Sequence, residues 1–309
     1  MSGAFLIYSE YFGLNGRPFS LLPNPDFLYW SEAHTRAYAM LEYGLATAAP
    51  ITVITGEVGA GKTTLIRHLL RSAPSDLRFA LISCAHGQRS RLLNWVLLAL
   101  GKPAAPRAPY VELFPKFERV LKDELAAGRR TVLIFDEAQN LSAAMLEELR
   151  SFSNINVDRD EVLQIVLVGQ PELREVISRP RLLPFAQRVS ADFHLPGMPS
   201  KGVQKYVEHR LRIAGAQREI FTPAACEAVF AASRGLPRLI NQICDYALVY
   251  AFAQELPVVH ADLIQKVVAD RRNHPLNLAG MSAHVSAQGV DPSEIPSGRL
   301  EKPASKRTW

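Results

Sequence analysis

The stretch Gly56-Glu57-Val58-Gly59-Ala60-Gly61-Lys62-Thr63-Thr64 constrains the chain more than any other. It fits G-x-x-x-x-G-K-[ST], with an apolar, β-branched run, Ile51 to Thr55, before it and a helical apolar pattern, Leu65, Ile66, Leu69 and Leu70, after it. The order is strand, loop, helix. Loop N–H groups and the positive end of a helix dipole then converge on one point, which suits a polyphosphate. Glycines let the loop turn and let phosphate oxygens approach the main chain. Lys62 would reach the β- and γ-phosphates as a point charge, and the Thr63 hydroxyl would ligate Mg²⁺. The plain alternative is a Gly-rich turn in an ordinary strand–helix unit, and the flanking periodicity weighs against it.

A second buried strand pattern, Thr131 to Phe135, runs into Asp136-Glu137. Ligands of parallel sheets gather at the carboxyl ends of strands, so both acids arrive where the phosphate loop already is. Asp136 would hold Mg²⁺ through water, and Glu137 would orient or deprotonate the attacking water. An acidic pair after an apolar strand also serves as a simple helix-start signal, and it is the company of the phosphate loop that favours chemistry. Val162 to Val168 reads as a further strand whose end delivers Gly169 and Gln170. Gln170 either senses a γ-phosphate by hydrogen bond or caps the helix opening at Pro171. Phe79 to Ile82 and Val189 to Leu195 complete the strands, the last preceded by Arg179, Arg181 and Arg188. Helical faces alternate with these strands: Leu92 to Leu100, Val111 to Leu125, and Met145 to Phe152 behind the N-cap Ser142. The expectation is an α/β fold, a five-stranded parallel sheet with helices on both faces.

Pro196-Gly197-Met198-Pro199 breaks the alternation, and beyond it only helices are visible. With 309 residues, 48% of them hydrophobic, the chain can bury one α/β core and a smaller second one. The nucleotide-binding domain is therefore expected over 31–198 and a small all-helical domain over 199–271. Arg238 stands in the first turn of the helix opened by Pro237, where a cation is unfavourable for the helix dipole. Its partner is either an external anion or solvent. Residues 1–30 carry Tyr8, Tyr11, Phe12, Phe19, Phe27, Tyr29 and Trp30 among Pro18, Pro23 and Pro25. Such a segment is too apolar to stay solvated and too proline-rich for a long helix. It is expected to pack across the nucleotide-binding core, either closing an adenine pocket or covering core surface. From about Arg272 the periodicity ends, and 272–309 reads as a disordered tail.

Lys plus Arg number 35 against 30 Asp plus Glu, a formal charge of +5 that permits nucleic acid or an anionic surface as partner but demands neither. Cys84, Cys226 and Cys244 form no C-x-x-C and have no His at metal-ligand spacing, so they read as reduced core thiols of a cytosolic protein. There is no apolar run of 18 residues and no signal-peptide pattern at the N-terminus. The expected location is the cytoplasm, with peripheral attachment at the inner membrane only through a partner.

Taken together, acids after the third strand, a polar residue after the fourth, arginines before the fifth and a helical lid with Gly-x-Pro-Arg resemble an AAA+ ATPase. More specifically, the following motifs look like the ExeA/GspA-type secretion ATPases and their relatives in exopolysaccharide loci: Phe12-Gly13-Leu14, Pro18-Phe19, Pro23-Asn24-Pro25-Asp26-Phe27-Leu28-Tyr29, Tyr43-Gly44-Leu45, Asp136-Glu137-Ala138-Gln139, Gly169-Gln170-Pro171-Glu172-Leu173, Gln187-Arg188 and Gly235-Leu236-Pro237-Arg238-Leu239-Ile240-Asn241. This resemblance spans about residues 8 to 270. It implies ATP–Mg²⁺ binding and hydrolysis, a homo-oligomer, Arg238 as a second sensor, and an arginine finger acting on a neighbour's nucleotide. Arg188 fits the finger best, with Arg179 and Arg181 as competitors. The sequence departs from the family in lacking the transmembrane helix and periplasmic peptidoglycan-binding module of the secretion members. It also carries Gln170 where AAA+ proteins generally have Asn, Ser or Thr. The function expected is ATP-driven assembly or remodelling of a protein client complex in an envelope secretion or exopolysaccharide system. The alternative is an ATP-dependent DNA-binding regulator of the MuB/TniB transposition-helper type; a third is a nucleotide-gated scaffold without hydrolysis.

Overall fold

A computed structural model describes residues 8–21, 27, 29–72, 74–83, 92–105, 108–155 and 162–272. Pro23, Pro25, Cys84 and the tail expected at 272–309, Arg272 apart, lie outside them. Three strands are buried on both faces: β1 (Ile51–Gly56), β3 (Arg130–Phe135) and β4 (Leu163–Gly169). Their near-continuous apolar runs are what a parallel sheet covered on both sides requires. The other two, β2 (Leu77–Ile82) and β5 (Val189–Leu195), mix buried with exposed positions and form the edges. All pairings are parallel, in the order β2-β3-β4-β1-β5.

Alternation along the strands divides the core into two layers. Ile51, Val53, Leu133, Phe135, Ile165 and Leu167 face one way, against Leu93 and Leu97 of α4 (Leu92–Ala99), Phe117 and Leu121 of α5 (Tyr110–Ala126) and Leu149 and Phe152 of α6 (Ala143–Phe152). Ile54, Val132, Ile134, Val166 and Val168 face the other way, against Leu41 of α2 (Glu32–Ala46) and Leu65, Ile66 and Leu69 of α3 (Lys62–Arg71). A four-residue helix, α1 (Ser9–Phe12), precedes these, and α7 (Glu172–Ile177) and α8 (Leu183–Ala186) link β4 to β5. The register pairs Val53 with Leu167 and Phe135 with Leu167. Gly56 and Gly169, which end their strands, and Asp136, which follows β3, therefore lie together at the carboxyl ends of the strands, where the sequence placed the chemistry.

Beyond β5 the chain is helical: α9 (Ser200–Ile213), α10 (Pro223–Ser233), α11 (Pro237–Ala253) and α12 (Ala261–Arg272). Thr222 caps α10 by accepting from the Ala225 N–H at 3.2 Å, with Pro223 at the first helical position. Residues through Ala269 form one compact unit.

The N-terminal segment lies only partly where it was expected, with Trp30 packed against the α/β core. Rather than crossing the α/β core, it runs along the C-terminal helices. Asn15 N–H donates to the Ala214 carbonyl at 2.7 Å, Arg17 pairs with Asp245 at 2.5 Å, and the Tyr8 hydroxyl also donates to Asp245. Phe19 meets Phe221 edge-on, and Tyr29 meets Tyr206. Trp30 is the contact on the other side, packing edge-on against Tyr38 and His68. The physical reason is that the Asp245 carboxylate on α11 and the carbonyls at the C-terminal end of α9 offer polar partners to Arg17 and the segment's backbone, which the apolar faces of the sheet do not.

Candidate functional site

The loop between β1 and α3 turns through Gly59 (φ 80°) and Gly61 (φ 105°), both in the left-handed region that glycine enters without strain. Gly59 is needed twice, because a Cβ there would collide with the Cβ of Arg238. Alanine at Gly59 is expected to lower the unfolding free energy by about 1–2 kcal/mol from its backbone alone, and denaturant melts of the two proteins measure it.

Lys62 folds back over this loop, its Nζ donating to the Gly56 carbonyl at 2.6 Å and the Glu57 carbonyl at 3.0 Å. It is only 7% exposed. Burial pushes the ammonium pKa down, against the pull of the Glu137, Asp136 and Glu57 carboxylates. An ammonium held by neutral carbonyls gains from an anion brought beside it, which is the condition of a phosphate site.

The Thr63 hydroxyl donates to Asp136 Oδ2 at 3.0 Å, and Asp136 Oδ1 accepts from the Glu137 N–H at 3.0 Å. Burial raises the Asp136 pKa, and these two hydrogen bonds oppose it. Glu137 is in the left-handed region at φ 56°, an uncommon place for a non-glycine residue. Its carboxylate is fixed: Oε2 accepts from Gln139 Nε2 at 2.6 Å and from Gln170 Nε2 at 3.4 Å. Gln139 Oε1 in turn accepts from the Gln170 N–H at 3.0 Å. The Gln170 side chain thus turns to the acid, and the helix that follows has Pro171 at its N-cap without a side-chain cap.

Several of these residues line a cleft of about 480 Å³. Lys62, Thr63, Glu137 and Gln170 form one part of its lining; Ser20, Phe27 and Tyr29 of the N-terminal segment, Tyr206 and Arg210 of α9, and Arg238 and Asn241 of α11 form another. Arg238 N–H donates to the Gly59 carbonyl at 3.3 Å, so α11 begins against the phosphate loop, while its exposed side chain forms no ion pair among the described residues. Arg188 is not brought to this cleft. It is half-buried before β5, its Nη1 donating to Ser153 Oγ at 3.0 Å, and Arg179 and Arg181 are exposed nearby in the chain.

Three lining or supporting residues were missed from sequence. Gln139 stood unused inside Asp136-Glu137-Ala138-Gln139. Arg210 occupies a core position of α9, in step with Val203, Tyr206, Val207 and Leu211, and that misplaced charge was the signal. It is 7% exposed, donates to the Pro18 carbonyl and the Tyr206 hydroxyl, and lies 5.0 Å from the centre of the Phe27 ring. His34, under the phosphate loop, gave no signal beyond its place on α2.

Magnesium fits these donors. Thr63 and Asp136 offer hard oxygens beside Lys62, and a cation of this kind is held by one or two protein oxygens together with substrate phosphates. Among the described residues no group of three His, Cys, Asp or Glu could hold a metal unaided. Among them, too, no helix is long and apolar enough to cross a membrane.

Comparison with known proteins agrees with this architecture. Residues 46–177 match an AAA domain. Over 258 residues, 83% of this chain, the sequence is 42% identical to general secretion pathway protein A of Aeromonas hydrophila. The chain spans about half of that relative, 47% of its length. Among solved structures, the Aeropyrum pernix ORC2 protein in its ADPNP–ADP complexes superposes with a TM-score of 0.61 at 19% identity, over 83% of this chain and 72% of that one. CDC6P of Pyrobaculum aerophilum gives 0.63 at 15% identity, over 82% and 70%. At such identities the likeness is one of fold.

Proposed function

The chain is an AAA-domain protein related to general secretion pathway protein A, and from that premise we propose that it binds ATP with Mg²⁺ in the cleft above β1 and hydrolyses it to ADP and phosphate. The observation that carries this reading is the 3.0 Å hydrogen bond from Thr63 to Asp136. It joins the first helical turn after the phosphate loop to the acid at the end of β3, with Lys62 and Glu137 on the same cleft.

The loop N–H groups and Lys62 bind the β- and γ-phosphates, and Thr63 and Asp136 hold the metal, directly and through water. Mg²⁺, when bound, neutralises charge developing on the β- and γ-oxygens. Glu137 orients the attacking water and takes its proton. Since Oε2 is engaged by Gln139 and Gln170, Oε1 is the oxygen that faces the water. Gln170 exchanges its long contact with Glu137 for the γ-phosphate, and Arg238 supplies positive charge from the first turn of α11. The nucleotide-binding part is 31–198 and the lid 199–271. Arg188 reaches the nucleotide of a neighbouring copy in a homo-oligomer. The ATP cycle drives assembly or remodelling of a protein client, in keeping with the relative's name, in an envelope secretion or exopolysaccharide system.

Lys62→Ala is the direct test of the binding mode. It removes a charge-assisted contact of about 1.5–3 kcal/mol, so the Kd for ATP should rise roughly ten- to a hundredfold by calorimetry. Unchanged affinity would show that the nucleotide does not sit in this loop.

A further inference from the structure

On the lining of the same cleft, against the phosphate loop, lies a histidine that the hydrolytic reading leaves without a role. His34 is in the first turn of α2 and is 9% exposed. Its Nε2 lies 3.1 Å from the carbonyl oxygen of Ala60, in the middle of the loop. A carbonyl can only accept, so Nε2 carries the proton and donates. Nδ1 is then the acceptor, and the Ser31 hydroxyl stands 2.7 Å away to donate to it. Ser31 in turn accepts from the His34 N–H at 3.3 Å as the N-cap of α2. The ring is thereby fixed in one tautomer and one orientation. Burial pushes its pKa down, which keeps it neutral at physiological pH.

Two further observations tie the ring to the loop's shape. A Cβ added to Gly61 would come within 2.5 Å of His34 Nε2, so the glycine before Lys62 lies directly against the imidazole. Among the described residues, the hydrogen bond recorded to the Ala60 carbonyl is that of His34, and no backbone N–H donates to it. Ala60 itself is 1% exposed. Without the imidazole this carbonyl would be buried with no donor, and the loop would relax by turning it elsewhere, which rotates the N–H of Gly61 with it.

We propose that His34 is a positioning residue of the phosphate loop, holding the Ala60–Gly61 peptide so that its N–H points into the nucleotide cleft. The proposal rests on the nucleotide-binding reading of that cleft. Ser31 orients His34, and Ser31 is where the N-terminal segment, tied elsewhere to the C-terminal helices, meets the α/β core. The loop geometry is thus supported from that segment's end as well as from β1.

The test compares His34→Gln and His34→Met in the full chain, with His34→Ala as the deletion. Gln keeps a donor near the Nε2 position and Met fills the same space without one. Calorimetry with ADP, without turnover, should show Kd raised about tenfold for Met and Ala and within about twofold of wild type for Gln. In steady state KM should rise with kcat unchanged, the mark of lost ground-state binding rather than of a lost catalytic group. Thermal melts of the nucleotide-free proteins identify any variant that fails to fold, and the Gln–Met pair decides if Ala does. Equal affinity of Met and Gln variants would overturn the proposal, as would a fall in kcat at constant KM. A wild-type protein that binds neither ADP nor ATP would instead refute the nucleotide reading.

Discussion

Arg188→Ala is expected to lower ATP turnover in the assembled protein by about 10³- to 10⁵-fold, the range found for arginine fingers, while leaving the nucleotide affinity of the single chain unchanged. Both halves follow from position. Arg188 does not line its own cleft and rests on Ser153 at 3.0 Å, so it contributes nothing to binding in cis. In the proposed homo-oligomer it would have to leave Ser153 and act, from just before the edge strand β5, on an adjoining copy. A mixing experiment separates cis from trans action. Arg188→Ala and Glu137→Gln proteins should each be nearly inactive, and together they should regain part of the activity, because some interfaces would then pair an intact finger with an intact acid. Wild-type turnover by assembled Arg188→Ala protein would shift the role to Arg179 or Arg181.

The second large effect belongs to Glu137→Gln. ATP should bind as before, and the chemical step should slow by roughly 10² to 10⁴ if the carboxylate acts as general base. The amide is nearly isosteric with the acid, so the left-handed backbone at φ 56° and the contacts of Oε2 to Gln139 and Gln170 keep their shape. Rapid-quench measurement of a single turnover shows the loss directly, free of product release. A variant that turns over at the wild-type rate would remove Glu137 from the chemistry and leave Asp136 alone with the metal.

The central strands and the longer helices were legible because each carries a plain apolar run or a single helical period. β1, β3 and β4 are continuous apolar runs, and Ser31, Ser142 and Thr222 each cap the helix that follows. The two acids at the carboxyl edge were legible for the same reason, since parallel pairing places strand ends together. What escaped was tertiary. No local pattern records that Asp245 and Ala214 would capture the N-terminal segment, since each contact joins residues about two hundred positions apart. The Glu137–Gln139–Gln170 cluster was partly hidden because sequence can place two amides near an acid but cannot give the direction in which they donate. His34 was invisible, as a histidine at an ordinary helix position becomes significant only once Gly61 is seen against its ring.

The central claim is that one cleft, lined by Lys62, Thr63 and Glu137 with Asp136 hydrogen-bonded to Thr63, grips magnesium and adenosine triphosphate together. Titration calorimetry of the folded wild-type protein with ATP, with and without Mg²⁺, tests it most directly. The account predicts saturable binding at one site per chain that tightens when the metal is present and weakens in the Lys62→Ala protein. No heat of binding with either, from protein whose melting shows it to be folded, would contradict it.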